Sequence, residues 1–402
     1  MAKPVNEKYR KFYKKTIKER IHTLQNTHDS DLIRRLTRNS HLPPPLLDSL
    51  IENAITQFPI PMGILPEIII NNRIYSIPMA TEEPSIVAAA SKAAKIINKT
   101  GGFKTSAIEP AMVTQIQCAL PENINPEKIT RDIDINRNKY IDIANKLDPR
   151  LIENGGGAYD IKTRILPPET ENDPDPRRTY ITVDLYVKTA DAMGANALNT
   201  MAETLLPLIA RQYGIQPGIA IISNDASLRI ANASVTIPFE VLRNDNTTYK
   251  PEQIAKRISD AYTFALRDPK RAITNNKGIM NGIVAALIPL AQDTRAVESA
   301  VHSYAAENGK IKPLATWICK NNALHGNISI PMPVAIVGGS INTHPVAKAA
   351  LELINPESAR QLAEILAAIG LAQNFAALLA LTTEGIQKGH MKLHNKKSAY
   401  EP

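Results

Sequence analysis

The stretch "TYITVDLYVKTADAMGANALNTMAE" (residues 179–203) joins an alternating apolar pattern to a helical one. The apolar residues that share one face of its first half are Ile181, Val183, Leu185 and Val187. This period of two predicts a strand with one buried face, and the second half predicts a helix over 196–212. No GxGxxG pattern stands at the junction, so the sequence does not predict a Rossmann domain.

The patterns on either side predict a small α+β domain inserted into a larger, mostly helical domain. A strand pattern at 113–120 and a helical pattern at 126–147 accompany the central stretch. The predicted domains are 1–111 with 220–380 for the large domain, 112–219 for the small domain and 381–402 for a short C-terminal segment. The helical patterns of the large domain fall at 83–99, 251–267, 278–292, 294–307, 345–353 and 357–382.

The composition is that of a globular protein with a basic surplus. The 402 residues are 44% hydrophobic, enough for one large core or two moderate ones. Lys and Arg exceed Asp and Glu by 47 − 39 = 8, which suits nucleic acid, a membrane surface or small polyanions such as coenzyme phosphates. Aromatic residues make up only 5%, and no base-stacking motif follows the basic N-terminal stretch, which argues against nucleic acid.

Other features predict a cytoplasmic protein without a membrane segment. The N-terminal stretch has no apolar h-region, so we expect no signal peptide. We find no uninterrupted apolar run of the ~18 residues that a membrane span needs. The only cysteines, Cys118 and Cys319, are far apart and lack metal-ligand spacing, which is typical of a reducing compartment.

Two adjacent carboxylates open the apolar helical pattern in "TEEPSIVAAAS" (81–91). A helix N-terminus favours carboxylates because its first N–H groups are unpaired and its dipole is positive there. Position alone therefore favours capping over catalysis for both Glu82 and Glu83.

Further polar residues suggest sites for an anion or a carbonyl oxygen. The stretch "RDPKRAITNNKGIMNG" (267–282) predicts an Asn- and Gly-rich loop before an apolar helix, in which Arg271 and Lys277 could reach such a group. The alternative is a pair of surface cations beside a turn. Asp293, in "AQDTRAVES", is at a position typical of an N-cap.

Two weaker signals concern metal and phosphate. His390 and His394 have the i,i+4 spacing of some zinc ligands, but neither an HExxH pattern nor a third ligand accompanies them, so we predict no metal site. Gly194 and Ala195 would let a phosphate approach the backbone N–H groups where the helix opens. Small residues equally permit tight packing of a helix on a strand.

Six motifs, in their order and separations, resemble those of hydroxymethylglutaryl-CoA reductase of the soluble bacterial class. They are "TEEPSIVAAAS", "DAMGANALNTMAE", "RAITNNKGIMNG", "PMPVAIVGGS", "GLAQN" and "EGIQKGHMKLH". The resemblance implies an α+β fold in which 112–219 is a ferredoxin-like domain for a nicotinamide cofactor and 381–402 is a short C-terminal flap. It also implies interconversion of hydroxymethylglutaryl-CoA with mevalonate and coenzyme A by two hydride transfers.

Carried over position by position, the resemblance implies three sets of site residues. The catalytic set is Glu83, Lys277, Asp293 and His390. The substrate-binding set is Ser85, Arg271, Asn281 and Gln373. The cofactor-binding set is Asp148, Asp191, Met193, Gly194, Ala195, Asn196 and Asn224.

The implied roles agree with the chemistry of these side chains. Lys277 would stabilise the thioester oxyanion, and His390 would protonate the departing coenzyme A thiolate. Glu83 would donate the proton to the final alkoxide, while Asp293, expected to be buried between Glu83 and Lys277, would hold both in a hydrogen-bond network. Asp148 would accept a hydrogen bond from a ribose hydroxyl and repel a 2′-phosphate, which predicts NADH, with NADPH as the alternative.

The resemblance also implies a homodimer with active sites at the interface, alone or grouped into a larger assembly. Two alternatives stay open. One is a related acyl-CoA or aldehyde reductase on the same scaffold, and the other is a non-catalytic polyanion-binding protein. Arg271 favours hydroxymethylglutaryl-CoA reductase over the related reductase, because only an acyl chain that ends in a carboxylate needs a guanidinium partner.

Overall fold

The computed structural model describes residues 9, 11–38, 42–169, 172–244 and 247–385. Its helices are α1 (Ile17–Gln25), α2 (Ser30–Arg38), α3 (Pro44–Leu50), α4 (Ile86–Ile97), α5 (Pro126–Ile135), α6 (Arg137–Asn145), α7 (Pro149–Glu153), α8 (Ala195–Tyr213), α9 (Pro251–Arg267), α10 (Pro269–Leu287), α11 (Thr294–Ala305), α12 (Pro345–Ile354) and α13 (Ala359–Thr382). Its strands are β1 (Met62–Ile70), β2 (Arg73–Ala80), β3 (Lys104–Ala107), β4 (Ala111–Ala119), β5 (Gly157–Leu166), β6 (Tyr180–Lys188), β7 (Gln216–Ile222), β8 (Ile230–Pro238), β9 (Ala315–Lys320) and β10 (Ala323–Pro331). The chain separates into a small unit, Ile108–Arg229, and a large unit formed by the rest.

The small unit is built on an antiparallel sheet with the strand order β5-β6-β4-β7. Its β-α-β-β-α-β succession with this pairing is the ferredoxin-like arrangement. The apolar residues of β6 that alternate in the sequence are fully buried, and α8 packs against β4 and β7. The buried face of α8 carries residues three or four apart, namely Leu198, Met201, Leu205 and Ile209. The sequence predicts bounds of 112–219, inside those of the small unit.

Four strand ends meet at one end of this sheet. Lys188, the last residue of β6, pairs with Ala111 at the start of β4 and with Gly157 at the start of β5. Ile222, the last residue of β7, pairs with Thr114 near the start of β4. The segments that follow β6 and β7, and α7 just before β5, therefore lie at the same end of the sheet.

The large unit contains two antiparallel sheets as well as helices, so the predicted mostly helical domain is an incomplete description. The pair β1-β2 forms one sheet, and β3-β8-β10-β9 forms the other. The sequence pattern predicts β8 but does not reveal β1, whose alternation is interrupted by Pro66 and Glu67 at an irregularity between Leu65 and Ile68. The predicted mixed α+β class is confirmed.

Helix α13 forms the centre of the large unit. Most of its side chains are buried, and it packs against α4, α9 and α10 as well as β3, β8 and β10. It is long and apolar enough to cross a membrane by length and composition alone, and 83% of that apolar window is buried within the protein. Such burial is typical of a core helix in a large domain.

The loop predicted from "RDPKRAITNNKGIMNG" is wrong, because residues 269–282 belong to α10 and Asp268 is its N-cap. The side chain of Asp268 accepts hydrogen bonds from the N–H groups of Lys270 and Arg271, and Pro269 occupies the first turn. Low helix propensity of the Asn and Gly residues is overcome by the tertiary contacts described below.

Candidate functional site

Glu83 and Lys277 meet in the large unit. Glu83 lies in the turn between β2 and α4, and its Oε2 is 3.1 Å from Nζ of Lys277 on α10. The Glu83 side chain is 36% exposed and that of Lys277 61% exposed. An ion pair with this exposure adds little to stability. The pair is therefore better placed to interact with a ligand than to stabilise the fold.

Neither carboxylate of "TEEPSIVAAAS" caps α4, so the capping interpretation is wrong. The N-cap is Ser85, with no acidic residue in the first turn. Ser85 has the left-handed backbone conformation, φ 81°, which is uncommon and strained for a residue with a Cβ. Its Oγ is buried and has no hydrogen-bond partner among the described residues. A buried hydroxyl of this kind fits a polar contact to substrate.

Helices α10 and α13 approach each other closely at Gly282 and Gln373. Asn281 is one turn beyond Lys277, so the two share a face of α10. A Cβ at the neighbouring Gly282 would lie 2.8 Å from Cβ of Gln373, so only glycine permits this approach of the helices. Gln373 is buried, and its Oε1 has no partner within the described part of the chain. This oxygen is a second polar atom suited to a ligand.

A buried hydrogen-bond network that the sequence does not reveal supports these helices. Nε1 of Trp317 donates to Oδ1 of Asn374 at 2.8 Å, and Nδ2 of Asn374 donates to Oδ1 of Asn275 at 3.0 Å. Asn276 donates to the carbonyl oxygen of Lys312 at 2.8 Å. The network ties α10 to α13 and β9 within two residues of Lys277. Its trace in the sequence is the Asn pair at 275–276.

Arg271 lies in the first turn of α10, half-buried, and burial lowers the pKa of its guanidinium. It precedes Lys277 by six residues, which is about 9 Å along a helix axis. A cation at this distance could bind the far end of a substrate whose carbonyl lies at Lys277. The two residues do not touch in any hydrogen bond of the described chain.

The expected burial of Asp293 is wrong, and its place between Glu83 and Lys277 stays a prediction. Its side chain is 40% exposed and caps α11, accepting hydrogen bonds from the N–H groups of Arg295 and Ala296. These N-cap hydrogen bonds orient the Asp293 carboxylate towards the first turn of α11.

His390 and His394 lie outside the described residues. The chain before them is anchored to the large unit, since Nε of Arg257 donates to the carbonyl oxygen of Thr382 at 2.7 Å and Nζ of Lys92 is 3.7 Å from Oε1 of Glu384. The described residues contain no group of three His, Cys, Asp or Glu side chains that could hold a metal ion.

The cofactor residues implied by the resemblance collect at one end of the small unit's sheet. Asp148 is the N-cap of α7, and its Oδ1 accepts from the N–H of Leu151 at 3.0 Å. The segment 191–194 follows β6, and Asn224 follows β7. Because α7, the end of β6 and the end of β7 lie together, these residues share one side of the unit.

Gly194 shapes the start of α8 in a way that suits a phosphate group. It is the N-cap, with φ 97° and no side-chain cap. A Cβ there would lie 2.5 Å from Cγ2 of Thr189, so another residue would be crowded as well as strained. The first N–H groups of this 19-residue helix are free of a side-chain cap, as a helix N-terminus that binds an anion requires. The residues present therefore fit a dinucleotide.

Comparisons with known proteins agree with this arrangement. A family model described as hydroxymethylglutaryl-coenzyme A reductase matches residues 16–395. The 3-hydroxy-3-methylglutaryl-coenzyme A reductase of Archaeoglobus fulgidus is 40% identical over 390 residues, covering 96% of this chain and 86% of the relative. A probable enzyme of the same name from Borreliella burgdorferi is 35% identical, covering 87% and 78%. The class II reductase of Streptococcus pneumoniae, solved bound to NADPH in open conformations, superimposes with a TM-score of 0.86 at 36% identity, covering 93% of this chain and 100% of that one.

Proposed function

The chain belongs to the hydroxymethylglutaryl-coenzyme A reductase family, and we propose that Glu83, Lys277 and His390 perform its chemistry. It is an oxidoreductase that uses a nicotinamide cofactor to interconvert hydroxymethylglutaryl-CoA with mevalonate and coenzyme A. The observation that carries the assignment of residues is the 3.1 Å contact between Lys277 and Glu83. An ammonium group beside a carboxylate offers both charge stabilisation and a proton route at one carbonyl.

Substrate binding is assigned to the polar groups around this pair. Arg271 would bind the free carboxylate of the hydroxymethylglutaryl group through charge-assisted hydrogen bonds. The buried Oγ of Ser85 and Oε1 of Gln373 supply further polar contacts, together with Asn281. These contacts would hold the thioester carbonyl against Lys277. The guanidinium of Arg271 finds an anionic partner only on an acyl chain that ends in a carboxylate. These substrate-binding residues therefore favour hydroxymethylglutaryl-CoA over a simple acyl-CoA.

Two reduced nicotinamide cofactors, bound one after the other, would supply one hydride each. As the thioester carbon is reduced, its oxygen becomes negative, and Lys277 stabilises that charge. The hemithioacetal then expels coenzyme A, and His390 protonates the thiolate sulfur. The aldehyde oxygen becomes an alkoxide in the second reduction, and it would take its proton through the Lys277–Glu83 pair. The product is the alcohol mevalonate.

The direct test supplies the purified chain with hydroxymethylglutaryl-CoA and follows cofactor oxidation at 340 nm. We expect two cofactors oxidised per thioester, with mevalonate and free coenzyme A as products. Succinyl-CoA and butyryl-CoA serve as controls for the carboxylate and for the chain. If butyryl-CoA is reduced as well as hydroxymethylglutaryl-CoA, the role of Arg271 is wrong. If hydroxymethylglutaryl-CoA binds but is not reduced with either cofactor, the proposed reaction is wrong.

For the cofactor, we propose a preference for NADH that depends on Asp148. The Asp148 carboxylate caps α7 with one oxygen, and its charge would disfavour a 2′-phosphate. The exposed neighbours Lys146 and Arg150 would attract the same phosphate, and the Streptococcus relative was solved with NADPH. Asp148→Asn separates these effects because it keeps an N-cap and removes the charge. The ratio of kcat/KM for NADH to that for NADPH should fall in this variant, and an unchanged ratio would remove Asp148 from the explanation.

We further propose a cytoplasmic homodimer with active sites at the interface. The location is supported by Cys118 and Cys319, both free thiols. If each active site takes residues from both subunits, a Lys277→Met chain mixed with a Gly194→Val chain should form heterodimers with one competent site. At random pairing, such a mixture should recover about a quarter of the wild-type activity. Heterodimers that form without any recovered activity would place a whole site within one chain.

A further inference from the structure

Arg229, the last residue of the small unit, is almost fully buried at 4% exposure. Its Nη1 donates to Oγ1 of Thr189 at 3.1 Å and to the carbonyl oxygens of Ala192 and Met193 at 3.2 and 3.3 Å. Burial lowers the pKa of Arg229 to about 10, so the side chain keeps its charge at neutral pH. Arginine is rarely buried to this extent, and here it lies under the segment that leads into α8.

The segment held by Arg229 has a backbone that needs support. Ala190 has φ 49° and Gly194 has φ 97°. The left-handed conformation is unfavourable for an alanine, and such strain persists only where surrounding contacts fix the backbone. Arg229 supplies three of these contacts. Thr189 supplies another, because its N–H donates to the carbonyl oxygen of Pro110 at 3.1 Å.

The hydrogen bonds of Arg229 also decide which way two amides point. In a trans peptide, the carbonyl and the N–H of the next residue point in opposite directions. The carbonyl groups of Ala192 and Met193 are directed to Arg229. The N–H groups of Met193 and Gly194 are therefore directed away from it. Neither N–H donates to another residue in the described part of the chain.

We propose that Arg229 is a positioning residue for the cofactor, holding 189–194 so that the amides of Met193 and Gly194 face the diphosphate of the nicotinamide dinucleotide. Successive backbone N–H groups beside a helix N-terminus form an anion-binding concavity. The Nη1 group of Arg229 lies on the opposite side of the same peptides, so its effect on the cofactor is exerted through the backbone. This inference rests on the proposed function, because the anion is the cofactor of that reaction.

The test compares Arg229→Met and Arg229→Lys with wild type, using NADH and NADPH fluorescence to measure each dissociation constant. We expect cofactor binding at least tenfold weaker in Arg229→Met and an intermediate loss in Arg229→Lys, which keeps a donor and a charge. The KM for hydroxymethylglutaryl-CoA should stay within twofold, and kcat at saturating cofactor within about threefold. Arg164→Met is the matched control, since Arg164 pairs with Asp184 at 2.8 Å in β5 of the same unit. It should lower stability without changing cofactor affinity.

Three outcomes decide the matter. Wild-type cofactor affinity in folded Arg229→Met would overturn the proposal, as would an equal loss in Arg164→Met. If Arg229→Met does not fold, Arg229→Lys carries the test, and unchanged cofactor affinity there overturns the proposal in the same way. If the wild-type chain binds neither cofactor, the proposed function fails first, which is a different result from variants that bind as well as wild type.

Discussion

Replacing Asn374 with leucine tests whether the buried network fixes the packing of α10 on α13. Leucine has the same number and branching of non-hydrogen side-chain atoms as asparagine, so the main effect is the loss of two hydrogen bonds. Nε1 of Trp317 and Oδ1 of Asn275 lose their 2.8 Å and 3.0 Å partners, and all three side chains are buried. Each stranded buried group costs about 1–3 kcal/mol. Two such groups cost about 2–6 kcal/mol, and the added apolar burial offsets about 1–2 kcal/mol, so the free energy of unfolding should fall by about 1–4 kcal/mol.

The chain offers its own reporter for this experiment. Trp317 is the only tryptophan and lies within the large unit, so its fluorescence during urea unfolding follows that unit and not the small one. A loss of about 3 kcal/mol moves the midpoint by roughly 1 M at a slope of about 3 kcal/mol/M. The same unfolding curve recorded by far-UV circular dichroism shows whether a shifted midpoint reflects stability or only the altered surroundings of the indole.

The double variant Asn275→Leu/Asn374→Leu provides the control. It removes one of the stranded groups, so it should be more stable than Asn374→Leu by about 1–2 kcal/mol. A loss below 0.5 kcal/mol in the single variant, on the order of an ordinary surface change, would refute the reasoning. So would a double variant whose loss equals the sum of the two single losses.

Three further predictions concern catalysis and pH. Lys277→Met should lower kcat by about 10²–10³-fold with little change in the KM for hydroxymethylglutaryl-CoA. The control is Lys270→Met, on the exposed first turn of α10, which should leave both constants unchanged. Equal effects of the two substitutions would remove Lys277 from the mechanism. Asp293→Asn keeps the N-cap of α11, so thermal stability should hold, and full retention of activity would show that the carboxylate is not required. Burial lowers the pKa of His344, whose Nδ1 accepts from the N–H of Ala347 at 3.3 Å. The unfolded state then binds the proton more tightly, so this contribution is present above about pH 6.5 and is lost as the pH falls below it. His344→Asn should flatten the fall in urea midpoint between pH 7.5 and 5.5, and an unchanged slope would contradict the assignment.

The parts of the fold that the sequence predicts are those encoded by local periodicity. The alternation in β6 and the apolar spacing in α8 need no knowledge of distant residues, and both elements form where the pattern predicts them. The start of α10 does not follow from local pattern. Asn275 and Asn276 weaken a helix by propensity, but their amides are satisfied by Asn374, Lys312 and Leu314. Those partners lie 36 or more residues away in the chain, so a reading of the local sequence predicts a loop.

The two glutamates of the candidate site also show that local sequence does not predict a feature that depends on the backbone conformation and on distant residues. A carboxylate just before a helical pattern is expected to cap the helix, and that inference assumes that the helix begins at the first residue of the pattern. Ser85 breaks the assumption: its left-handed backbone starts α4 at Ile86 and leaves Glu82 and Glu83 before the N-cap. Freed from the helix, Glu83 reaches Lys277, 194 residues away in the chain. The left-handed backbone of Ser85 therefore explains why Glu83 pairs with Lys277 instead of capping α4. The spacing of the charges in the sequence does not carry that information, and only the motif as a whole does.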